Sequence, residues 1–418
     1  MADMQVDVAI IGAGPAGVAA GIGAREAGAK DVLVLERDWD LGGILQQCIH
    51  PGFGLHTFKE ELTGPEYMHR WVVRAREAGV TFLTNSMVFK LDEDGSLWVM
   101  NPERGVFKVT AKATVLAMGC RERPLGAINV PGSRPAGIFT AGTAQRFVNM
   151  EGYMPGHRTV VLGSGDIGLI MARRLVWEGA RVEGVFELMP WAGGLRRNIA
   201  QCLNDYDIPF YLSHTVTRVH GKDRLEGVSV AEVDENRQVL DGTERFIGCD
   251  CLLLAVGLIP ENELSRMAGV EIHPVTGGPV LNEFYQTSRP SIFAAGNVVI
   301  VYDLADWVSQ EGVAAGRNAA LYAAGALKEP LRRIDIRGGA NVRLFSPQYV
   351  TAGEDVTVYF RVLRPIEKRC RVFADRGLFE RKHRYVRPGE MNEIRLKAEA
   401  LQALPRSVTT ITIDAEEV

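Results

Sequence analysis

The chain has 418 residues, a net charge of −4, 23% charged and 46% hydrophobic residues. That length allows two or three domains with cores of their own, in the composition range of a soluble globular protein. The balance excludes a nucleic-acid binder of bulk basic character, and beyond the first glycine-rich stretch no run is long enough to span a bilayer.

The first element in chain order is VDVAIIGAGPAG, with Gly12, Gly14 and Gly17. Val8 to Ala24 is uncharged, but it lacks a positive leading region and holds five glycines, so it reads as strand, turn and helix rather than a signal peptide. The apolar run before Gly12 is short and β-branched, as in a parallel strand buried on both faces. In such a turn the first glycine permits the tight bend and the second lets backbone approach a pyrophosphate. The third allows helix and strand to pack closely, and the helix N-terminus offers free N–H groups to phosphate. KDVLVLE then ends at Glu36, where a carboxylate can accept hydrogen bonds from ribose hydroxyls. Next come Leu41-Gly42-Gly43, Cys48, and the turn IHPGFGLH with His50 and His56.

AKATVLAMG, from Ala111 to Gly119, reads as a buried strand ending at glycine, with Pro124 soon after. A second fingerprint follows: RTVVLGSGDIG, with Gly163, Gly165 and Gly168, leading through RVEGVFE to Glu187. In both copies the acid lies 24 residues beyond the first glycine. A lone glycine fingerprint is weak, because a strand–helix turn without a ligand looks the same. Two copies, each in strand–turn–helix–strand–acid context, imply two dinucleotides held together and electron transfer between them. A carboxylate at Glu187 repels a 2′-phosphate, which favours NAD(H) over NADP(H).

CDCLLLAVG, ending at Gly257, repeats the earlier strand design and is followed by Pro260. PSIFAAGNV is a third such strand, containing Gly296 and Asn297, and a helix is predicted from about Asp306 to Ala324. The predicted fold is α/β, with two Rossmann-like dinucleotide-binding domains, the second inserted in the first. Residues 1–124 and 257–330 form the first domain and residues 125–256 the second. Beyond Pro330 the segments VTVYFRVL, CRVFAD and VTTITID alternate apolar and polar residues, which predicts a small all-β domain over 335–418. Residues 331–418 carry 17 Lys+Arg against 12 Asp+Glu, and ten of the basic residues fall between Arg361 and Arg387. These are either solvated strand faces or a docking surface for an acidic partner protein. The six cysteines form no CxxC; Cys249-x-Cys251 is a poor metal site, and no metal is expected. They are expected to be mostly reduced and buried, in a cytoplasmic protein.

On these motifs the chain resembles the two-dinucleotide flavoproteins of the thioredoxin reductase and glutathione reductase superfamily, over roughly residues 5–330. The resemblance implies FAD at the first fingerprint and NAD(P)H at the second. It assigns cofactor contacts to Gly12, Gly14, Pro15, Ala16, Gly17, Glu36, Arg37, Gly42, Gly43, Val88, Gly119, Gly296 and Asn297, and to Gly163, Gly165, Asp166, Ile167, Gly168, Glu187 and Gly257. Asn297 stands where the superfamily places an aspartate on the ribityl chain; it keeps the shape and can both accept and donate. By analogy, a helix N-terminus at Ser309, Gln310, Glu311 and Gly312 is expected beside the flavin C2 carbonyl. No acid–base catalyst is assigned, since hydride transfer between cofactors needs none. The segment with Cys48, His50 and His56 is implied to lie near the isoalloxazine, the histidines as pocket wall, proton relay or packed loop residues and Cys48 as a flavin-adjacent thiol or a buried neutral one.

The chain departs from the superfamily at the dithiol. Thr140 and Thr143 occupy the places of the thioredoxin reductase cysteines, and Cys48 alone follows the Gly42–Gly43 pair. Disulfide reduction needs a thiolate and a resolving thiol, so it is not expected here. GGILQQCIHPGFG, MGCRERP, RPAGIFTAGTAQRFVN and GNVVIVYDLADWVSQEG are similar to a family of bacterial FAD/NAD-linked oxidoreductase subunits. Members of that family occur with a glycerol-3-phosphate dehydrogenase-like flavoprotein and a small cysteine-rich protein. The chain is also similar to the α-type subunits of heteromeric amino-acid and opine dehydrogenases. This implies a hetero-oligomer with a second flavoprotein dehydrogenase subunit plus a small cysteine-rich subunit. A self-sufficient NADH-dependent reductase or oxidase of a small acceptor is the competing reading, and a non-catalytic scaffold a third.

Overall fold

The computed structural model describes residues 3–418 and divides into two compact units. One runs to Cys120 and resumes at Pro260; the other is Arg121–Ile259.

In the first unit, Val8 to Ile11 and Val32 to Leu35 are buried throughout, as their β-branched and leucine side chains predict for strands covered on both faces. Parallel strands line up in the order Thr81–Leu83, Val32–Leu35, Met4–Ile11, Gly105–Leu116 and Ile292–Ala294, with Val8 opposite both Val32 and Ala113. The long strand Gly105–Leu116 also pairs antiparallel with Leu97–Asn101, which carries Met87–Leu91 at the sheet edge. All five parallel strands end on the same side. Gly12, Glu36, Ala117 and Ala295 therefore emerge together at the carboxyl edge, where open α/β sheets bind ligands.

Helices Pro15–Glu26 and Ala305–Ala323 cross at backbone contact. A Cβ on Gly312 would lie 2.2 Å from the Ala16 carbonyl oxygen, and one on Gly316 only 1.9 Å from that of Ala20. Glycine at these positions is thus a packing requirement.

The C-terminal part of this unit holds a five-stranded and a three-stranded sheet around Val358, Phe360, Ile394, Ile411 and Ile413. The all-β expectation holds apart from the short helix Ala398–Ala403. The attachment to the rest of the unit is specific. Glu283, 8% exposed, accepts from Thr351 N–H at 2.8 Å, Thr351 O–H at 2.7 Å and Gly353 N–H at 3.0 Å. Glu283→Ala strands three donors, and the expected loss is about 3 kcal/mol, read as a lower urea midpoint. A change within about 0.5 kcal/mol would contradict this anchoring role.

The second unit has a parallel sheet ordered Ile138–Thr140, Cys251–Leu254, Arg158–Leu162, Arg181–Glu187 and Phe210–Leu212. An antiparallel sheet of His214–Gly221, Leu225–Glu232 and Arg245–Gly248 completes it.

Candidate dinucleotide sites

The two glycine turns are built alike in three dimensions. Gly12 has φ +101° and Gly163 φ +91°, a region L side chains rarely adopt. A Cβ on Gly12 would meet the Ala117 carbonyl oxygen at 2.5 Å; one on Gly163 would meet that of Ala255 at 2.3 Å. A Cβ on Gly17 would fall 1.8 Å from the Gly12 carbonyl oxygen, and one on Gly168 would fall 2.4 Å from the Ala255 Cβ. Gly14 differs: nothing lies within 4 Å of where its Cβ would stand. It caps helix Pro15–Glu26 without any side-chain hydrogen bond, and the first turn contains no acid. The helix N-terminus thus carries its partial positive charge with no side-chain cap and no first-turn acid to neutralise it, which suits a pyrophosphate.

Each acid grips its own turn. Glu36, 6% exposed, accepts from Ala13 N–H at 2.7 Å and Asp38 N–H at 2.8 Å. Glu187, 9% exposed, accepts from Ser164 N–H at 2.9 Å, Ser164 O–H at 2.5 Å and Met189 N–H at 2.9 Å. The donors are in both cases the residue after the first glycine and the residue two beyond the acid. Each carboxylate keeps further lone pairs for a ribose.

Other predicted positions gather at the first turn. Gly42 N–H donates to the Ala13 carbonyl at 2.9 Å, and a Cβ on Gly43 would lie 3.1 Å from the Gly14 Cα. Ala16 is buried, and a Cβ on Gly296 would lie 2.9 Å from its Cβ. Asn297 Oδ1 accepts from Tyr302 N–H at 3.0 Å, and its Nδ2 donates to Cys120 Sγ at 3.6 Å. Gly119 has φ +72° with no atom near the place of a Cβ. The Val88 side chain points into the core while its strand pairs it with Val99, and Arg37 is exposed. In the second unit, Asp166 Oδ1 accepts from Leu195 N–H at 2.8 Å and Asn198 Nδ2 at 2.7 Å, while Ile167 packs against the core of this unit. Gly257 has φ +101° and open space around it.

The helix predicted from about Asp306 runs Ala305–Ala323, so Ser309 to Gly312, the residues expected to present its N-terminus to the flavin, lie inside the helix instead. Ser309 is buried against the Tyr67 hydroxyl at 2.8 Å, and Gly312 lies against Ala16, so neither offers a free N-terminus. Asp306 accepts from Thr57 N–H at 3.0 Å, which ties the chain just after His56 to the helix start. His56 is exposed and stacks obliquely on Trp307 at 5.0 Å; the His50 ring lies 5.2 Å from Phe53. Cys120 and Tyr302 join the Asn297 contacts, a role that the segments holding them, MGCRERP and GNVVIVYDLADWVSQEG, do not announce.

None of the six cysteines forms a disulfide. Cys48 is buried, donates to the Ile44 carbonyl at 3.4 Å, and its thiol is pushed up to about 12 by desolvation. It is a neutral packing group at physiological pH. Thr140 and Thr143 hydrogen-bond to each other through their hydroxyls at 2.8 Å. Cys48→Ala is therefore expected to leave NADH-dependent flavin reduction within about twofold and to cost about 1 kcal/mol of stability. Loss of activity in an otherwise folded C48A protein would contradict a passive thiol.

A sequence model of the pyridine nucleotide-disulphide oxidoreductases matches residues 6–323. The chain belongs to this family. As a pyridine nucleotide-disulphide oxidoreductase it is a FAD-dependent enzyme of NAD(P)H. It is 25% identical to hydrogen cyanide synthase subunit HcnB of Pseudomonas protegens, over 71% of this chain and 66% of that protein. It is 26% identical to an opine oxidase subunit of Agrobacterium tumefaciens, over 77% of this chain and 66% of that protein. The glutamate synthase [NADPH] small chain of Escherichia coli is 26% identical, over 75% of this chain and 67% of the relative. The chain thus spans about two thirds of the length of the first two relatives. Among solved structures, thioredoxin reductase of Lactococcus lactis superposes with TM-score 0.63 at 20% identity, covering 77% of this chain and 99% of the other. A NAD-dependent persulfide reductase from A. fulgidus covers 94% of this chain and 70% of its own, with TM-score 0.58 and 20% identity. These likenesses show the two-dinucleotide fold. No helix among the described residues is long and apolar enough to cross a membrane.

Proposed function

We propose that this chain is the NAD-linked electron-transfer subunit of a multisubunit dehydrogenase, holding FAD at the first fingerprint and exchanging NAD(H) at the second. Bound FAD and NAD(H) supply the redox chemistry, a hydride passing between nicotinamide and flavin. The chain's own residues bind and orient. The Gly14 helix N-terminus takes a pyrophosphate, Glu36 and Glu187 take ribose hydroxyls, and the Gly42–Gly43, Gly119 and Gly296–Asn297 turns close the flavin side. The Glu187 carboxylate repels a 2′-phosphate, which favours NAD(H) over NADP(H).

The observation that carries the subunit reading is the state of the thiols: no pair stands where a disulfide reductase needs one, and Cys48 is neutral and buried. With no thiol relay in the chain, the proposed donor or acceptor of the electrons is another protein. The relatives named as subunits of an opine oxidase and a hydrogen cyanide synthase support the same reading. The partners this reading names are a glycerol-3-phosphate dehydrogenase-like flavoprotein and a small cysteine-rich protein. Mild affinity purification from the native cell tests it: companion subunits carrying their own flavin should copurify. A lone chain that turns over rapidly with NADH and a small physiological acceptor would contradict it.

A further inference from the structure

The turn around Asn297 is held by a buried acid that lies behind it, inside a helix. Glu311 is 2% exposed; its Oε2 accepts from Gly296 N–H at 3.0 Å, and its Oε1 accepts from the Tyr302 hydroxyl. Tyr302 N–H in turn donates to Asn297 Oδ1 at 3.0 Å. Gly296, Asn297 and Tyr302 are thus tied to one carboxylate. The C-terminal strands buttress the same loop. Tyr359 meets Tyr302 edge-on at 5.3 Å, Arg361 donates to the Val301 carbonyl at 3.3 Å, and Asp303 accepts from Met391 N–H at 2.9 Å.

We propose that Glu311 is the positioning residue of the flavin loop, its carboxylate holding the Gly296–Asn297 turn in the shape that receives FAD, with Tyr302 as its second support. The inference rests on the reading that this unit binds FAD. A glutamine would fit the same space without charge. Glutamate adds charge-assisted acceptance, and it can exchange a proton. The ionisable groups facing it are Tyr285, Tyr302 and Tyr359; burial raises all three, so they are neutral near pH 7, and no cation among the described residues compensates the acid.

Desolvation pushes the Glu311 carboxyl up from 4.5 to about 7, against the Tyr302 and Gly296 hydrogen bonds, which lower it. For the fold, its stabilising contribution is full below about 4.5 and is lost as pH rises through about 7. For the turn the sign is opposite. The ionised form accepts from both donors, whereas protonation converts one oxygen to a donor and removes the charge from the Gly296 bond.

The test is FAD binding to the full-length apoprotein, followed by flavin fluorescence quenching between pH values of about 5.5 and 8.5. The native protein should bind about fivefold more tightly at the alkaline end, with a midpoint near 7. Glu311→Gln should be flat and close to the weak native limit. Tyr302→Phe should keep the slope but move the midpoint upward, because it removes a bond that lowers the Glu311 carboxyl. A flat native profile, or an E311Q protein with the native slope, overturns the proposal. Glu36→Ala serves as the separate control. If it fails to weaken FAD at any pH, the FAD reading itself falls; if it weakens FAD while the native profile is flat, only the Glu311 role falls.

Discussion

Gly14→Ala is expected to keep the fold and lose the flavin, whereas Gly17→Ala loses both. The contrast follows from what each new methyl group meets. At Gly14 the backbone is extended, with φ −72°, and no protein atom lies within 4 Å of a Cβ, so the apoprotein accepts alanine. On the proposed function that open space is the approach path of the pyrophosphate to the helix N-terminus, and a methyl group there would stand in its way. Affinity for FAD should fall at least about a hundredfold, about 2.7 kcal/mol, with the melting temperature of the apoprotein within about 2 °C of native. At Gly17 the methyl would sit 1.8 Å from the Gly12 carbonyl oxygen, a backbone atom that cannot yield without moving the strand–helix turn. A cost of about 3 kcal/mol or more is expected, visible as a lower melting temperature before any flavin is added. Equal melting temperatures for G14A and G17A apoproteins would refute the packing argument. Undiminished FAD binding by G14A would remove the first turn as the flavin site.

Changing Glu187 should alter which nicotinamide is used. Glu187→Gln preserves the side-chain shape, and its carbonyl oxygen can still accept from Ser164, but the negative charge is gone. The ratio of kcat/KM for NADPH to that for NADH is expected to rise about tenfold, equivalent to about 1.4 kcal/mol. Glu187→Ala should go further, because it releases Ser164 and Met189 as well as the charge. In that variant NADH efficiency itself should fall by about tenfold or more. Stopped-flow flavin reduction with each nucleotide provides both numbers. A ratio unchanged in E187Q would mean that residues other than this acid choose the cofactor.

Much of this arrangement is legible from local sequence because its determinants are local. The spacing from first glycine to acid is the length of a helix plus a strand, so the twin grips of Glu36 on Ala13 and of Glu187 on Ser164 follow from the chain itself. The apolar runs before Gly119, Gly257 and Gly296 do form strands, ending at Leu116, Leu254 and Ala294, although the first strand begins earlier than its apolar run, at Gly105. The helix start at Ala305 falls within one residue of the predicted Asp306, but what fixes it there is not local. Leu304 caps it without any side-chain hydrogen bond, and its fixing contact is Asp306 to Thr57, 249 residues away. Glu311 is equally hidden. A glutamate inside a helix ordinarily faces solvent, and this one is buried with its oxygens taken by Gly296 and Tyr302, which reach it from outside the helix. Cys48 reads as a possible flavin-side thiol. The packing of Gly64 against it, with a Cβ there only 2.9 Å from the Cys48 Cβ, shows a side chain closed into the core.

On the proposed function, this flavoprotein exchanges electrons between its flavin and a partner without a thiol relay. An anaerobic reductive titration of the purified holoprotein with NADH tests that claim most directly. About one equivalent of NADH per FAD is expected to complete reduction, with no new thiols appearing afterwards. Uptake of a second equivalent, accompanied by two newly titratable thiols, would reveal a redox-active disulfide and contradict it.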